Sequence, residues 1–200
     1  MSDFFDRKID EYDTVHGRMM ANKEPIADMI PKGAKRVLDL GVGTGLELCA
    51  VAEKHKNVYI KGIDISEQML KRLEDKKLSI KLSLVHGDFF ETDFGEDYYA
   101  VISSAALHHF APEDKTFLYK KIFASLKDGG LFINSDRIAK NKDEELILLK
   151  EYEENPNTYP HMDTPLTGET DTVLLKAVGF SEVEITDLAN KRYKIVCARK

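Results

Sequence analysis

The sequence predicts an α/β fold built on a largely parallel sheet with helices on both faces. The first observation is the segment Arg36-Val37-Leu38-Asp39-Leu40-Gly41-Val42-Gly43-Thr44-Gly45-Leu46-Glu47, which reads as a buried strand, a glycine turn and the start of a helix. The second is the regular recurrence of short apolar segments with helical segments between them, the alternation of a sheet covered on both faces. The third is a pair of apolar segments at the C-terminal end, 183–186 and 193–198, which reads as a hairpin rather than a further crossover unit.

Each element follows from its residues. After the first strand, 58–64 is a second strand with Tyr59, Ile60 and Ile63 apolar. Ser66 then caps a helix that carries Glu67 in its first turn and Met69, Leu70 and Leu73 on one face. Strand three is 82–86. Strand four is 98–103 and runs into the small residues Ser103-Ser104-Ala105-Ala106. Pro112 opens the next helix, Phe117, Leu118, Ile122, Phe123 and Leu126 form its buried face, and Gly129-Gly130 is expected to end it. Strand five is 131–135. The stretch 141–159 is helical and acidic and breaks at Pro156, Pro160 and Pro165, so 141–165 reads as a lid insertion whose Leu146, Leu148 and Leu149 should cover something apolar. A last helix, 170–178, closes at Gly179, and Ala189-Asn190 turns the hairpin.

Bulk properties exclude several classes. With 200 residues and 42% hydrophobic content the chain reads as one globular domain, 1–200, with an N-terminal helical cap over 1–30. A net charge of −6 and a pI near 5.6 argue against a nucleic-acid partner. No segment has signal-peptide character and no run is long enough to cross a bilayer. Cys49 and Cys197, each in an apolar element, give neither a disulfide framework nor metal-ligand spacing. The expectation is a cytoplasmic protein with no metal; its oligomeric state is not legible.

The glycine turn discriminates between ligand classes. Glycines take positive φ and let backbone N–H groups approach a ligand closely. In a dinucleotide fold the pattern is G-x-G-x-x-G and the pyrophosphate sits on the helix N-terminus. Here the third glycine comes one position early, and Asp39 at the end of the strand opposes a pyrophosphate and suits a cation. Asp-Leu-Gly-x-Gly-x-Gly after an apolar strand resembles the first motif of class I S-adenosylmethionine-dependent methyltransferases. The resemblance runs from about Tyr12 to the C-terminus and is closest to small enzymes that methylate small molecules and quinone precursors. It implies a Rossmann-like seven-stranded sheet of order 3-2-1-4-5-7-6 with strand 7 antiparallel. It also implies S-adenosylmethionine as cofactor and S-adenosylhomocysteine as product.

Ligands of open α/β sheets lie beyond the carboxyl ends of the strands, so the residues there are the candidates. By resemblance, Asp39, Gly41, Gly43 and Gly45 hold the methionine part of the cofactor. Asp64 accepts from the ribose hydroxyls and Ile65 covers the adenine. Asp88 accepts from the adenine amino group, while the Phe89 N–H reaches a ring nitrogen. Ser103 and Ser104 lie under the methionine end, and Tyr12, in an amphipathic leader, reaches the cofactor carboxylate. Each has a plainer reading: Asp64 as a helix-start residue, Asp88 as a turn residue, the leader as a helix packed on the sheet edge.

Methyl transfer from a sulfonium needs placement and exclusion of water more than any fixed catalytic residue. A base is needed only where the acceptor must lose a proton, and His108, in Ala106-Leu107-His108-His109-Phe110 after strand four, is the candidate. The Asn/Asp-Pro-Pro-Tyr signature of amino methyltransferases acting on bases and glutamine is absent after strand four, as is a Pro-Cys nucleophile. The acceptor expected is therefore a small molecule, with Arg137, Tyr152, Tyr159 and His161 near its pocket. Two other classes remain open: a non-catalytic cofactor-binding regulatory protein of the same fold, and an NAD-dependent oxidoreductase, for which Asp64 lies about 20 residues beyond the glycine turn.

Overall fold

The computed structural model describes residues 23–155, 163–188 and 192–200. Tyr12, Tyr159, His161 and the turn at Ala189-Asn190 lie outside the described residues, as does most of the 1–30 segment. The order of elements is α1 (Lys23–Met29), β1 (Arg36–Leu40), α2 (Leu48–Lys54), β2 (Tyr59–Asp64), α3 (Glu67–Asp75), β3 (Lys81–His86), β4 (Tyr98–Ser104), a 3-10 turn (Leu107–His109), α4 (Pro112–Ser125), β5 (Leu126–Arg137), α5 (Lys142–Glu154), α6 (Gly168–Val178), β6 (Glu182–Asp187) and β7 (Tyr193–Arg199).

The seven strands form one sheet in the order β3-β2-β1-β4-β5-β7-β6. β1 to β5 pair in parallel, and β7 pairs antiparallel with both β5 and β6. The alternation of side chains along β1 splits the core in two. Leu38 and Leu40 face a cluster with Leu118, Tyr119 and Ile122 of α4 and Leu175 of α6. Val37 faces the other cluster, with Ile26 and Ile30, Leu48 and Val51 of α2, and Leu70 and Leu73 of α3. The expected caps are present: the Ser66 hydroxyl accepts from Met69 N–H at 3.1 Å, Pro112 opens α4, and Gly179 closes α6 with φ 125°.

Two local expectations are corrected. α4 ends at Ser125, not at Gly129-Gly130, because Leu126 already pairs with Tyr98 of β4 and the glycines lie inside β5. The buried residue of α5 is an acid: of the three leucines expected to cover something apolar, Leu146 is 55% exposed and Leu148 and Leu149 are half-buried, whereas Glu145 is 1% exposed. Its carboxylate accepts from Thr167 N–H at 2.7 Å and from the Thr170 hydroxyl at 2.8 Å, and it pairs with Lys142. These bonds tie α5 to the start of α6. Among the described residues no helix is long and apolar enough to cross a membrane.

Candidate functional site

A pocket opens at the carboxyl ends of β1 to β4, where the sheet order reverses between β1 and β4. It is lined by Gly41 and Gly43 after β1, Asp64, Ile65 and Met69 after β2, Gly87, Asp88 and Phe89 after β3, and Ser104, Ala105, Ala106, His109 and Phe110 after β4. Seven of the residues expected from sequence to hold a cofactor therefore share one wall: Gly41, Gly43, Asp64, Ile65, Asp88, Phe89 and Ser104.

The glycine turn is built by close approach. Gly41 has φ 76°, and a Cβ placed on it would lie 2.6 Å from the Ala106 Cβ. The Asp64 carboxylate holds this turn, accepting from Gly43 N–H at 2.8 Å with one oxygen and from Ser66 N–H at 2.9 Å with the other. Burial pushes the Asp64 carboxyl above its ordinary range, and those two N–H groups pull it back. Asp64 is thus a helix-start residue and a pocket residue at once. Asp88 likewise makes the expected turn, accepting from Phe90 N–H at 2.7 Å, while lining the pocket.

Four other expected residues do not line the pocket. Gly45 serves packing, since a Cβ there would meet Leu73 Cδ1 at 2.4 Å. The Ser103 hydroxyl is spent on the Leu40 carbonyl at 2.8 Å, and the residue is fully buried. Asp39 is also fully buried, beneath the turn and beside Glu47, which is 4% exposed. Burial raises the Asp39 carboxyl well above its usual range, and the Glu47 and Asp64 charges raise it further. The fourth is His108, whose ring turns away: Nδ1 lies 2.5 Å from Asp136 Oδ1, and its backbone N–H donates to Asp136 Oδ2 at 2.9 Å. The histidine on the pocket is His109.

Residues outside the expected cofactor set support the wall. The Lys121 ammonium of α4 donates to the carbonyls of Phe89, Phe90 and Thr92 at 2.5, 3.1 and 2.8 Å and lies 4.3 Å from the centre of the Phe94 ring, pinning the loop after β3. Ala105 holds φ 51° and donates its N–H to the Ser135 carbonyl at 2.9 Å, which presents Ala106 to Gly41. Asp163 sits between Arg137 and the two histidines. Burial alone would raise its carboxyl, but His109, His108 and Arg137 together hold it below the usual range.

The raised Asp39 pKa makes a stability prediction. A carboxyl whose folded pKa is above its unfolded one contributes stability present at low pH and lost as pH rises through the folded value. At neutral pH Asp39 therefore opposes folding of the ligand-free protein. Asp39→Asn is expected to raise its thermal midpoint at pH 7, with the gain shrinking as pH falls toward the ordinary carboxylate range, as read by calorimetric scans at several pH values.

Residues 37–130 match the family model described as "Methyltransferase domain". The chain is 29% identical over 167 residues to the carboxy-S-adenosyl-L-methionine synthase of Nautilia profundicola, covering 75% of this chain and 71% of that protein. It is 32% identical over 137 residues to an uncharacterized methyltransferase of a Geobacillus species, covering 68% and 63%. In fold it is similar to human N-acetylserotonin methyltransferase solved with S-adenosylmethionine, with a TM-score of 0.68, 19% identity and coverage of 91% of this chain and 52% of that one. The chain thus spans only part of the length of each. The strand order is that of class I, S-adenosylmethionine-dependent methyltransferases, and residues 37–130 match their methyltransferase domain.

Proposed function

We propose that the chain transfers a methyl group from S-adenosylmethionine to a small-molecule acceptor. The observation that supports this most strongly is the buried Asp39 and Glu47 pair directly beneath the glycine turn. Burial and Glu47 favour the neutral form of Asp39, and a nearby cation favours the ionised one, so the pair opposes a pyrophosphate and gains from a cationic ligand, which speaks for S-adenosylmethionine over NAD. The cofactor supplies a methyl group already activated on a sulfonium.

The chain's own residues bind, orient and exclude water. Gly41 and Gly43 leave room for the methionine part, with Ser104 beneath it and Asp39 behind the turn rather than in contact. Asp64 has acceptor capacity left for ribose hydroxyls, Ile65 and Met69 form an apolar wall for adenine, and Asp88 with the Phe89 N–H reads its edge. Tyr12 keeps its proposed place at the cofactor carboxylate. Ala105 and Ala106 leave the acceptor space at the end of β4, where His109 and Phe110 line it. The bonds of Thr164 to His108 and Phe110 hold Thr164 at this side of the pocket, which supports 141–165 as its cover within one domain, 1–200. Both ends of that cover are structural, because Glu145, Thr164 and Leu166 are buried. We assign no general base. The free cysteines Cys49 and Cys197 and the acidic balance support a cytoplasmic enzyme with no nucleic-acid substrate.

A second reading is formation of a carboxylated cofactor, favoured by the similarity to the Nautilia protein. Incubation with S-adenosylmethionine and pooled small-molecule acceptors, followed by mass spectrometry, separates the readings. The proposal expects S-adenosylhomocysteine together with an acceptor heavier by one methyl group. With carboxylic acids included in the pool as carboxyl donors, a cofactor gaining a carboxyl at the expense of one that loses it would establish the second reading. No turnover across the pool would support a regulatory protein that only binds the cofactor.

Removing Lys121 tests the loop it pins. Lys121→Met is expected to weaken S-adenosylhomocysteine binding about 5- to 20-fold while the protein stays folded, since hydrogen bonds from a charged group are worth about 1.5 to 3 kcal/mol and only part of that is felt at the ligand. Calorimetric titration checks it, and an unchanged affinity would make Lys121 a stability residue only.

A further inference from the structure

Behind the pocket, His108, His109 and Asp163 bring three metal-ligating atoms within 4.8 Å of one another. We propose that His108 Nε2, His109 Nδ1 and Asp163 Oδ1 form a binding site for a divalent transition-metal ion of the zinc class. Asp163 Oδ1 lies 3.6 Å from His108 Nε2 and 3.1 Å from His109 Nδ1. Ligands held about 2.1 Å from one ion at tetrahedral or octahedral angles stand about 3.0 to 3.4 Å apart, so these separations need little adjustment to admit it. Two imidazoles and one carboxylate are a donor set suited to zinc and to non-haem iron, and they leave positions open for water or a ligand.

The atoms behind the histidine prepare it for this role. Asp136, 4% exposed, accepts the Nδ1 proton of His108 and also the N–H groups of His108 and Arg137. With the proton fixed on Nδ1, Nε2 presents a lone pair toward Asp163 Oδ1, the oxygen that also faces His109 Nδ1. A carboxylate on the far nitrogen is the usual support of a metal-bound histidine, fixing its tautomer and raising its basicity. Arg137 takes the other oxygen of Asp163, which orients Oδ1 toward the histidines. The Asp136 charge offsets that of the guanidinium. The His109 and Asp163 side chains are 6% and 22% exposed, so an ion has a route in. Because His109 also lines the pocket, the open positions lie on its acceptor side.

The inference does not depend on the methyl-transfer reading, and its test reads metal rather than turnover. The full chain is treated with a chelator, titrated with Zn²⁺ by calorimetry, and titrated with Co²⁺ by visible absorption. One equivalent of each is expected. His108→Ala and Asp163→Asn should abolish the one-equivalent endpoint, and Asp136→Asn should weaken binding about 10- to 100-fold, the effect of losing an outer partner. If His108→Ala does not fold, Asp163→Asn at its partly exposed position carries the test. Wild-type protein without a one-equivalent endpoint, or undiminished binding in Asp163→Asn, would overturn the proposal and leave the three residues as an ion-pair cluster.

Discussion

Gly41→Ala is expected to reduce S-adenosylhomocysteine affinity at least about 100-fold, roughly 2.7 kcal/mol, and to lower stability by about 1 to 3 kcal/mol. Two costs coincide at this position. The φ of 76° strains any residue with a Cβ, and that Cβ would stand 2.6 Å from Ala106, far inside contact distance. Ala106 cannot retreat freely, because Ala105 before it is already held at φ 51° and bonded to Ser135. The turn itself must shift, and with it the backbone facing the ligand. Gly33→Ala is the control: its φ is 80°, but a Cβ there meets nothing within 4 Å. It should cost about 1 kcal/mol of stability and leave affinity unchanged. Equal affinities for both variants in calorimetry would show that the turn does not approach the cofactor.

Asp64→Ala should weaken cofactor binding by about 1.5 to 3 kcal/mol, roughly 10- to 150-fold, the range for hydrogen bonds to a charged group. In this structure the loss has two sources, because the carboxylate also holds the N–H groups of Gly43 and Ser66. Asp64→Asn separates them. Its single carbonyl oxygen can keep one of those N–H bonds but accepts ribose hydroxyls poorly, so it should retain more of the stability than of the affinity. A dissociation constant unchanged in both variants would return Asp64 to the role of a helix-start residue.

What could be read from the sequence was what is local along the chain. The strand and turn of 36–45, the Ser66 cap and the acids just past β2 and β3 are all set by neighbours a few residues away, and the pocket assembles seven of the expected residues. What could not be read depends on partners far apart. His108 and His109 differ by one position, and only Asp136, 28 residues on, decides which ring turns from the pocket. Lys121 reaches a loop about thirty residues earlier in the chain. Glu145 looks like one charge of a solvated acidic face, yet it is buried because Thr167 and Thr170 come from another helix. Gly45 and Ser103 share the composition of the site but spend it on packing and on the backbone of β1.

Thermal unfolding with each candidate cofactor tests the central claim most directly. A ligand that binds only the native state raises the midpoint by mass action. S-adenosylhomocysteine at saturating concentration is expected to raise it, and Asp64→Ala to diminish that shift, while NAD leaves it unmoved. Stabilisation by NAD with no response to S-adenosylhomocysteine would contradict the account.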